Sequence, residues 1–251
     1  MNTMVCQTCN TSLETVANFC PNCGTSIKKT KLKERNEHLN LVIAFYIVML
    51  VFLIANYFLY QESSSLVQEI ATESVFALII VGFTFFDFKN IIKLYRFPKV
   101  DLLALIGYLL IPFASAFVVY YSVEFINVQL SEETYNYYLG YIDYPNPMFW
   151  AILFIAIFPP IFEELGFRGF LYNQLNKITS TKVTIILTAF IFALVHFSII
   201  SLLWIFPFGL LLGYLRHKYN TLWIGMIIHF IHNFIVLYLD YYYFDSTLLE
   251  F

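Results

Sequence analysis

The fragment "PPIFEELGFRGF", Pro159 to Phe170, sets Glu163, Glu164 and Arg168 inside an otherwise hydrophobic stretch. Ionisable side chains at bilayer depth cost ~2.5–3.5 kcal/mol each on insertion scales, so those that persist there mark function by default. Two later apolar segments carry histidine: His196 in "FALVHF", and His229 with His232 and Asn233 in "IIHFIHNF". A carboxylate can take a proton from water, an imidazole can pass it on, and N–H donors can hold an oxyanion. Glutamate, histidines and an amide in one membrane interior therefore point to proton-transfer chemistry on water.

Spacing divides the roles. On a helix Glu164 and Arg168 stand at i and i+4 with the glutamate amino-terminal, the better orientation for an ion pair. Glu163 is rotated about 100° from that pair and stays available as a general base. His229 and Asn233, also i and i+4, share a face and offer two neighbouring donors. His232, one turn from His229, is the alternative donor. Pro159 and Pro160 remove two amide donors and free backbone carbonyls, which membrane helices tolerate only against protein or a wet cavity. The plainer reading is structural: the Glu–Arg pair locks helices together and His196 is a hydrogen-bonded core residue.

The elements that must carry these groups are membrane helices. The chain has 251 residues, 60% hydrophobic and 12% charged. Soluble domains carry about a quarter charged residues, so this is a polytopic membrane protein. No cleavable signal peptide is expected, because the first residues are polar and bear cysteine. Leu39 to Tyr60 and Leu102 to Val123 each suffice for a helical span, Asn146 to Asn176 carries the charged fragment, and Thr221 to Leu239 is the last. Ser74 to Phe86 spans only if its helix starts near Leu66 and tolerates Glu69 and Glu73. Lys182 to Arg216 would make a single helix of ~50 Å, too long for a ~30 Å core and too short for two full spans. A hairpin of two short helices fits, turning near Ser198 to Ser201 with His196 close to its tip.

Seven crossings segregate charge. All 14 Lys and Arg fall on one side, in the amino tail and the segments near 87–101, 168–182 and 216–218, while the other side holds ten of the 17 acids. By the positive-inside rule the amino terminus is cytoplasmic and the carboxyl terminus outside.

The chain opens with a separate module. Cys6, Cys9, Cys20 and Cys23 make two C-x2-C pairs, the second in "CPNCG", where glycine permits a tight turn. This suits a tetrahedral zinc site with four thiolate ligands. Two disulfides are the alternative, and a reduced cytoplasmic setting favours zinc. Residues 28–38, "KKTKLKERNEH", read as a basic solvated linker that could touch anionic lipid. The predicted fold is thus all-α, a transmembrane bundle of seven spans over residues 39–251, with a zinc ribbon at residues 1–27.

The sequence "EELGFR", Phe192 with His196 in F-x-x-x-H, and His229 with Asn233 in H-x-x-x-N together resemble the motif set of the CPBP family. That family comprises CAAX prenyl endopeptidases and the bacteriocin-processing or self-immunity proteins called Abi. The resemblance spans about Asn146 to Leu239. It implies an intramembrane endopeptidase in which Glu163 and His196 activate water, His229 and Asn233 stabilise the oxyanion, and Glu164 and Arg168 support the site. Gly166 departs from it, since members commonly have a larger apolar residue there, and should alter packing. A metal held by Glu163, His196 and His229 is conceivable, but H-E-x-x-H is absent and a metal-free site is preferred. Expected partners are the bilayer, a peptide or protein substrate and a protein bound by the ribbon, with no nucleic acid. A transporter with a proton pathway and a catalytically silent scaffold are the rival functions.

Overall fold

The computed structural model describes residues 4–6, 8–13, 19–59, 65–130, 136–197 and 199–248. Two short strands, β1 (Met4–Val5) and β2 (Ser12–Leu13), pair antiparallel with Met4 opposite Leu13. All other named elements are helical. α1 (Ile27–Leu59), α2 (Leu66–Phe85), short α3 (Phe88–Ile91) and α4 (Leu102–Leu130) precede α5 (Pro147–Asn176), which carries the charged fragment. A hairpin of α6 (Thr181–Leu194) and α7 (Ile199–Tyr219) leads to α8 (Trp223–Leu248).

Five of these helices, α1, α2, α4, α5 and α8, are long and apolar enough to cross a bilayer. α2 begins at Leu66, as the weak span requires. Its start is fixed by a capping box in which Ser65 Oγ accepts from the Gln68 amide and Gln68 returns the bond to the Ser65 amide. Glu69, on its outer turn, accepts from Tyr141 Oη at 3.1 Å. The basic segment 28–38 is helical and continuous with α1, because nothing between Ile27 and Leu59 is proline or glycine. Residues 32–37 of that segment are exposed.

The hairpin forms, with its turn at Val195–Phe197, slightly ahead of the predicted Ser198 to Ser201. Phe197 takes a left-handed φ of 50°, which stops α6, and α7 has already begun at Ile199. Ser198 lies outside the described residues. With 14 residues α6 is ~21 Å long, short of the hydrocarbon thickness. The two arms approach closely because Gly209 and Gly213 of α7 face Ala189 and Ile185 of α6. A Cβ on either glycine would lie 3.1 Å from Ala189 or 3.2 Å from Ile185. Small residues spaced by four are what membrane helices use to touch, since lipid supplies no hydrophobic drive between them.

α1, α2, α5 and α6 meet in a hydrophobic core where Ile80 packs with the rings of Phe45, Phe167, Phe170 and Phe192. Phe45 stands edge-on to Phe83 at 5.2 Å and to Phe167 at 5.6 Å, a favoured aromatic geometry. His38 Nδ1 meets Gln174 Oε1 at 2.8 Å and ties the base of α1 to α5. One charge expected at a basic loop is not there: Arg168 is fully buried inside α5. Its carboxylate partner and ring contacts lie in the bundle, so it cannot count toward orientation.

Candidate active site

α5 is not a uniform helix. It is π-helical over Ile152–Ile157, α-helical over Phe158–Glu163, π-helical again over Glu164–Leu171, and α-helical to Asn176. π segments inside α-helices recur at functional sites. Here Pro159 and Pro160 explain the first, because neither can donate an amide back to the preceding turn. The carbonyl of Ile155 would accept from residue 159 in α register or 160 in π register, and both are proline. Asn233 Nδ2 of α8 donates to that oxygen at 2.9 Å instead. Thus the freed carbonyl becomes an anchor between α5 and α8.

The next turn carries the charges. Arg168 Nη1 lies 3.0 Å from Glu164 Oε1, both side chains being essentially inaccessible, as the i and i+4 spacing predicts. Arg168 Nη2 donates to the Gly209 carbonyl of α7 at 3.3 Å, and its guanidinium stacks 4.1 Å over the Phe192 ring of α6. Coulomb attraction alone seldom repays the desolvation of such a pair; here the Gly209 carbonyl adds one bond, while Arg168 Nε has no hydrogen-bond partner among the described residues. Gly225 of α8 makes the room, since a Cβ there would sit 2.6 Å from Glu164 Oε2.

His229 lies between the two glutamates. Its Nδ1 is 3.5 Å from Glu164 Oε1 and its Nε2 is 3.7 Å from Glu163 Oε2, with 5% of the residue exposed. The result is a continuous polar line, Arg168–Glu164–His229–Glu163. Glu163 is the open end, with 19% of its side chain accessible.

The other expected residues stand differently. His196 is at the exposed hairpin turn, where its Nδ1 meets the Phe192 carbonyl at 2.8 Å. A proton on Nδ1 satisfies that bond and leaves Nε2 as the acceptor. Phe192 stands between the histidines, its centroid 5.0 Å from the His196 ring and 6.1 Å from that of His229. Among the described residues, the imidazole within ion-pair range of Glu163 is that of His229. His232 is bonded to Ser115 Oγ of α4 at 2.9 Å, so its polar contact is to α4 and not to either glutamate. Asn233 has spent one amide proton on Ile155 and keeps a second. Sequence reasoning missed Gly225 and the "GLLLG" spacing of Gly209 and Gly213, a signal that was readable; the contact of Arg168 with Phe192 was not.

The ribbon is built from two equivalent turns. Cys6 and Cys20 each accept from an amide four residues on, Asn10 at 2.8 Å and Gly24 at 3.0 Å, and both of those residues are left-handed. Thr11 and Thr25 place hydroxyls 3.2 and 3.1 Å from Cys9 and Cys23 Sγ. The repeat "CQTCNT" and "CPNCGT" thus encodes one knuckle twice. All four Sγ atoms lie within 4.8 Å of one another, and Cys6–Cys23 and Cys9–Cys20 are 3.5 Å apart. Tetrahedral Zn–S bonds of ~2.3 Å place sulfurs at about that separation, so the four thiols fit one structural zinc. The Thr11 hydroxyl beside Cys9, with the Thr11 amide, pulls that thiol down to about 6, favouring the thiolate a metal needs.

Residues 145–235 match the family model for the type II CAAX prenyl endopeptidase Rce1-like domain, and residues 5–27 match a zinc-ribbon domain. The chain carries an Rce1-like domain behind a zinc ribbon. Neither a curated protein nor a solved structure matches it significantly. The matched span runs from the turn before α5 into α8 and so takes in the whole polar line. At family level the Rce1-like match supports a CAAX-type intramembrane peptidase in a multi-pass membrane protein.

Proposed function

We propose that this protein is a glutamate-dependent intramembrane endopeptidase that hydrolyses a peptide bond in a membrane-associated peptide or precursor. The observation that carries the reading is the line Arg168–Glu164–His229–Glu163, which ends in a partly accessible carboxylate. Glu163 takes a proton from water as the water oxygen bonds to the peptide carbonyl carbon, and the carbonyl electron pair moves onto oxygen. His229 and the remaining N–H of Asn233 donate to that oxyanion. Its collapse breaks the C–N bond, and the departing nitrogen takes its proton from Glu163 directly or through His196, whose Nε2 has no hydrogen-bond partner among the described residues. Glu164 and Arg168 hold His229 in place and touch no substrate. Stabilisation comes from N–H donors already assembled, so we read the site as metal-free. The basic ends of α1, α3, α5 and α7 support an amino terminus in the cytoplasm. The ribbon, with Val5 and Phe19 exposed, suits recruitment of a substrate or a protein partner.

The test compares membrane peptides from cells carrying the intact protein, a Glu163→Ala variant, or neither. Loss of a cleavage product with unchanged protein abundance is expected. A phenotype that persists with Glu163→Ala would favour the silent scaffold. Metal content measured after removal of residues 1–30 should be near zero, and stoichiometric metal there would overturn the metal-free mechanism.

A further inference from the structure

We propose that the polar cavity at the basic end of the bundle is an anion site for a phosphate group, most directly the headgroup of an acidic phospholipid. The cavity measures about 250 Å³, and its polar lining is Asp87, Asn90, Lys93, Asn173, Asn176, Lys177, Arg216 and Asn220. Its floor is Arg216, 6% exposed, and Asp87, 7% exposed, whereas Asn90, Lys93 and Asn220 are open to solvent. Lysine and arginine outnumber the acid three to one.

Hydrogen bonding within the lining decides what the cavity would take. Asp87 Oδ1 accepts from Asn90 at 2.7 Å and Lys177 at 3.2 Å, and Oδ2 accepts from Asn173 at 2.9 Å. Asn173 Oδ1 and Asn220 Oδ1 accept from Arg216 at 3.0 and 2.9 Å, and Asn176 Oδ1 accepts from Thr181 at 3.3 Å. Arg216 Nε donates to the Arg168 carbonyl at 3.0 Å. The side-chain acceptors, apart from Asn90 Oδ1, are therefore used internally. The donors are not: guanidinium has five N–H bonds and Arg216 commits three of them. Lys93 has no polar partner among the described residues, and the amide groups of Asn176 and Asn220 keep both protons. A pocket with spare cationic donors and spent acceptors is complementary to an oxygen-rich anion, and arginine with lysine is the usual phosphate-binding set.

Depth points to a lipid source. Beside the cavity, Trp223 stacks on Phe97 at 5.2 Å, donates its indole N–H to the Tyr95 carbonyl at 2.8 Å, and meets the Tyr95 ring at 5.8 Å. Tryptophan and tyrosine collect where acyl chains give way to headgroups. An occupant would also touch the active-site helix, because Asn173 and Asn176 of α5 line the cavity.

The test uses the full chain in nanodiscs. In discs containing phosphatidylcholine and phosphatidic acid, native mass spectrometry should find phosphatidic acid retained on the wild-type protein in preference to phosphatidylcholine. Lys93→Gln, which breaks no hydrogen bond or ion pair among the described residues, should reduce that retention about fivefold, the upper worth of one exposed ion pair. Lys99→Gln, an equal charge loss outside the cavity, should not. In phosphatidylcholine discs, inorganic phosphate that raises the melting temperature without any lipid enrichment would assign the site to the free anion. Retention of neither, or equal loss with Lys93→Gln and Lys99→Gln, would overturn the proposal.

Discussion

The bond from Asn233 to Ile155 offers a test that separates anchoring from catalysis. Asn233→Ala removes the donor at 2.9 Å and leaves a carbonyl with two prolines where its helical donors should be. An orphaned buried polar group costs ~1–3 kcal/mol in proteins generally, while interhelical bonds in membranes average ~0.6, so about 1–2 kcal/mol is expected. Replacing Pro159 and Pro160 by alanine supplies an amide in either register, and in that background the cost of Asn233→Ala should shrink by about 1 kcal/mol. Unfolding in mixed micelles at increasing dodecyl sulfate, run as a double-mutant cycle, reads the coupling. Peptide cleavage by the same four proteins reads the second role. If Asn233 also donates to the oxyanion, activity stays low even where stability is restored. Equal destabilisation by Asn233→Ala in both backgrounds would refute the account of the freed carbonyl.

Three further outcomes follow from the geometry. Arg168→Gln strands Glu164, 1% exposed, and should cost about 3–5 kcal/mol, seen as loss of folded protein from membranes; wild-type abundance and melting would count against the pair as the strut of the site. Gly166→Leu puts a Cβ 2.6 Å from Ile80 and 3.4 Å from Phe45 and should cost about 1–3 kcal/mol in melting experiments, with Ile80→Ala recovering part of it. Additive losses in that double variant would show that α2 does not pack over Gly166 as described. Chelation of the purified full chain should release one zinc per molecule, and Cys9→Ser should lower the zinc bound, while the helical circular dichroism of the bundle persists; a collapse of the helical signal on chelation would contradict the independence of the ribbon.

Composition and spacing determined a good deal. Apolar runs long enough for a bilayer force helices, because lipid offers backbone groups no other partner, and they located α1, α2, α4, α5 and α8. Thiol pairs at fixed spacing specified the four-cysteine cluster, and the i to i+4 offset specified the Glu164–Arg168 pair, because one helical turn is a local constraint. The same local rule extends α1 back through the basic segment 28–38, where no proline or glycine interrupts the helix.

What joins across helices was decided only by packing. Which imidazole faces Glu163 depends on the rotation of α8 against α5, which the Ile155–Asn233 bond and the room at Gly225 set; His229 meets both glutamates and His232, one turn on, meets Ser115. The sequence assigns the histidines roles by spacing and resemblance, but carries no distance between any of them and Glu163. Arg216 likewise looks like a loop charge until Asp87, Asn173 and Asn220, far apart along the chain, close around the same cavity. Interhelical contacts are pairings over large sequence separations, fixed by the fit of whole surfaces, and no periodicity within a single helix carries that information.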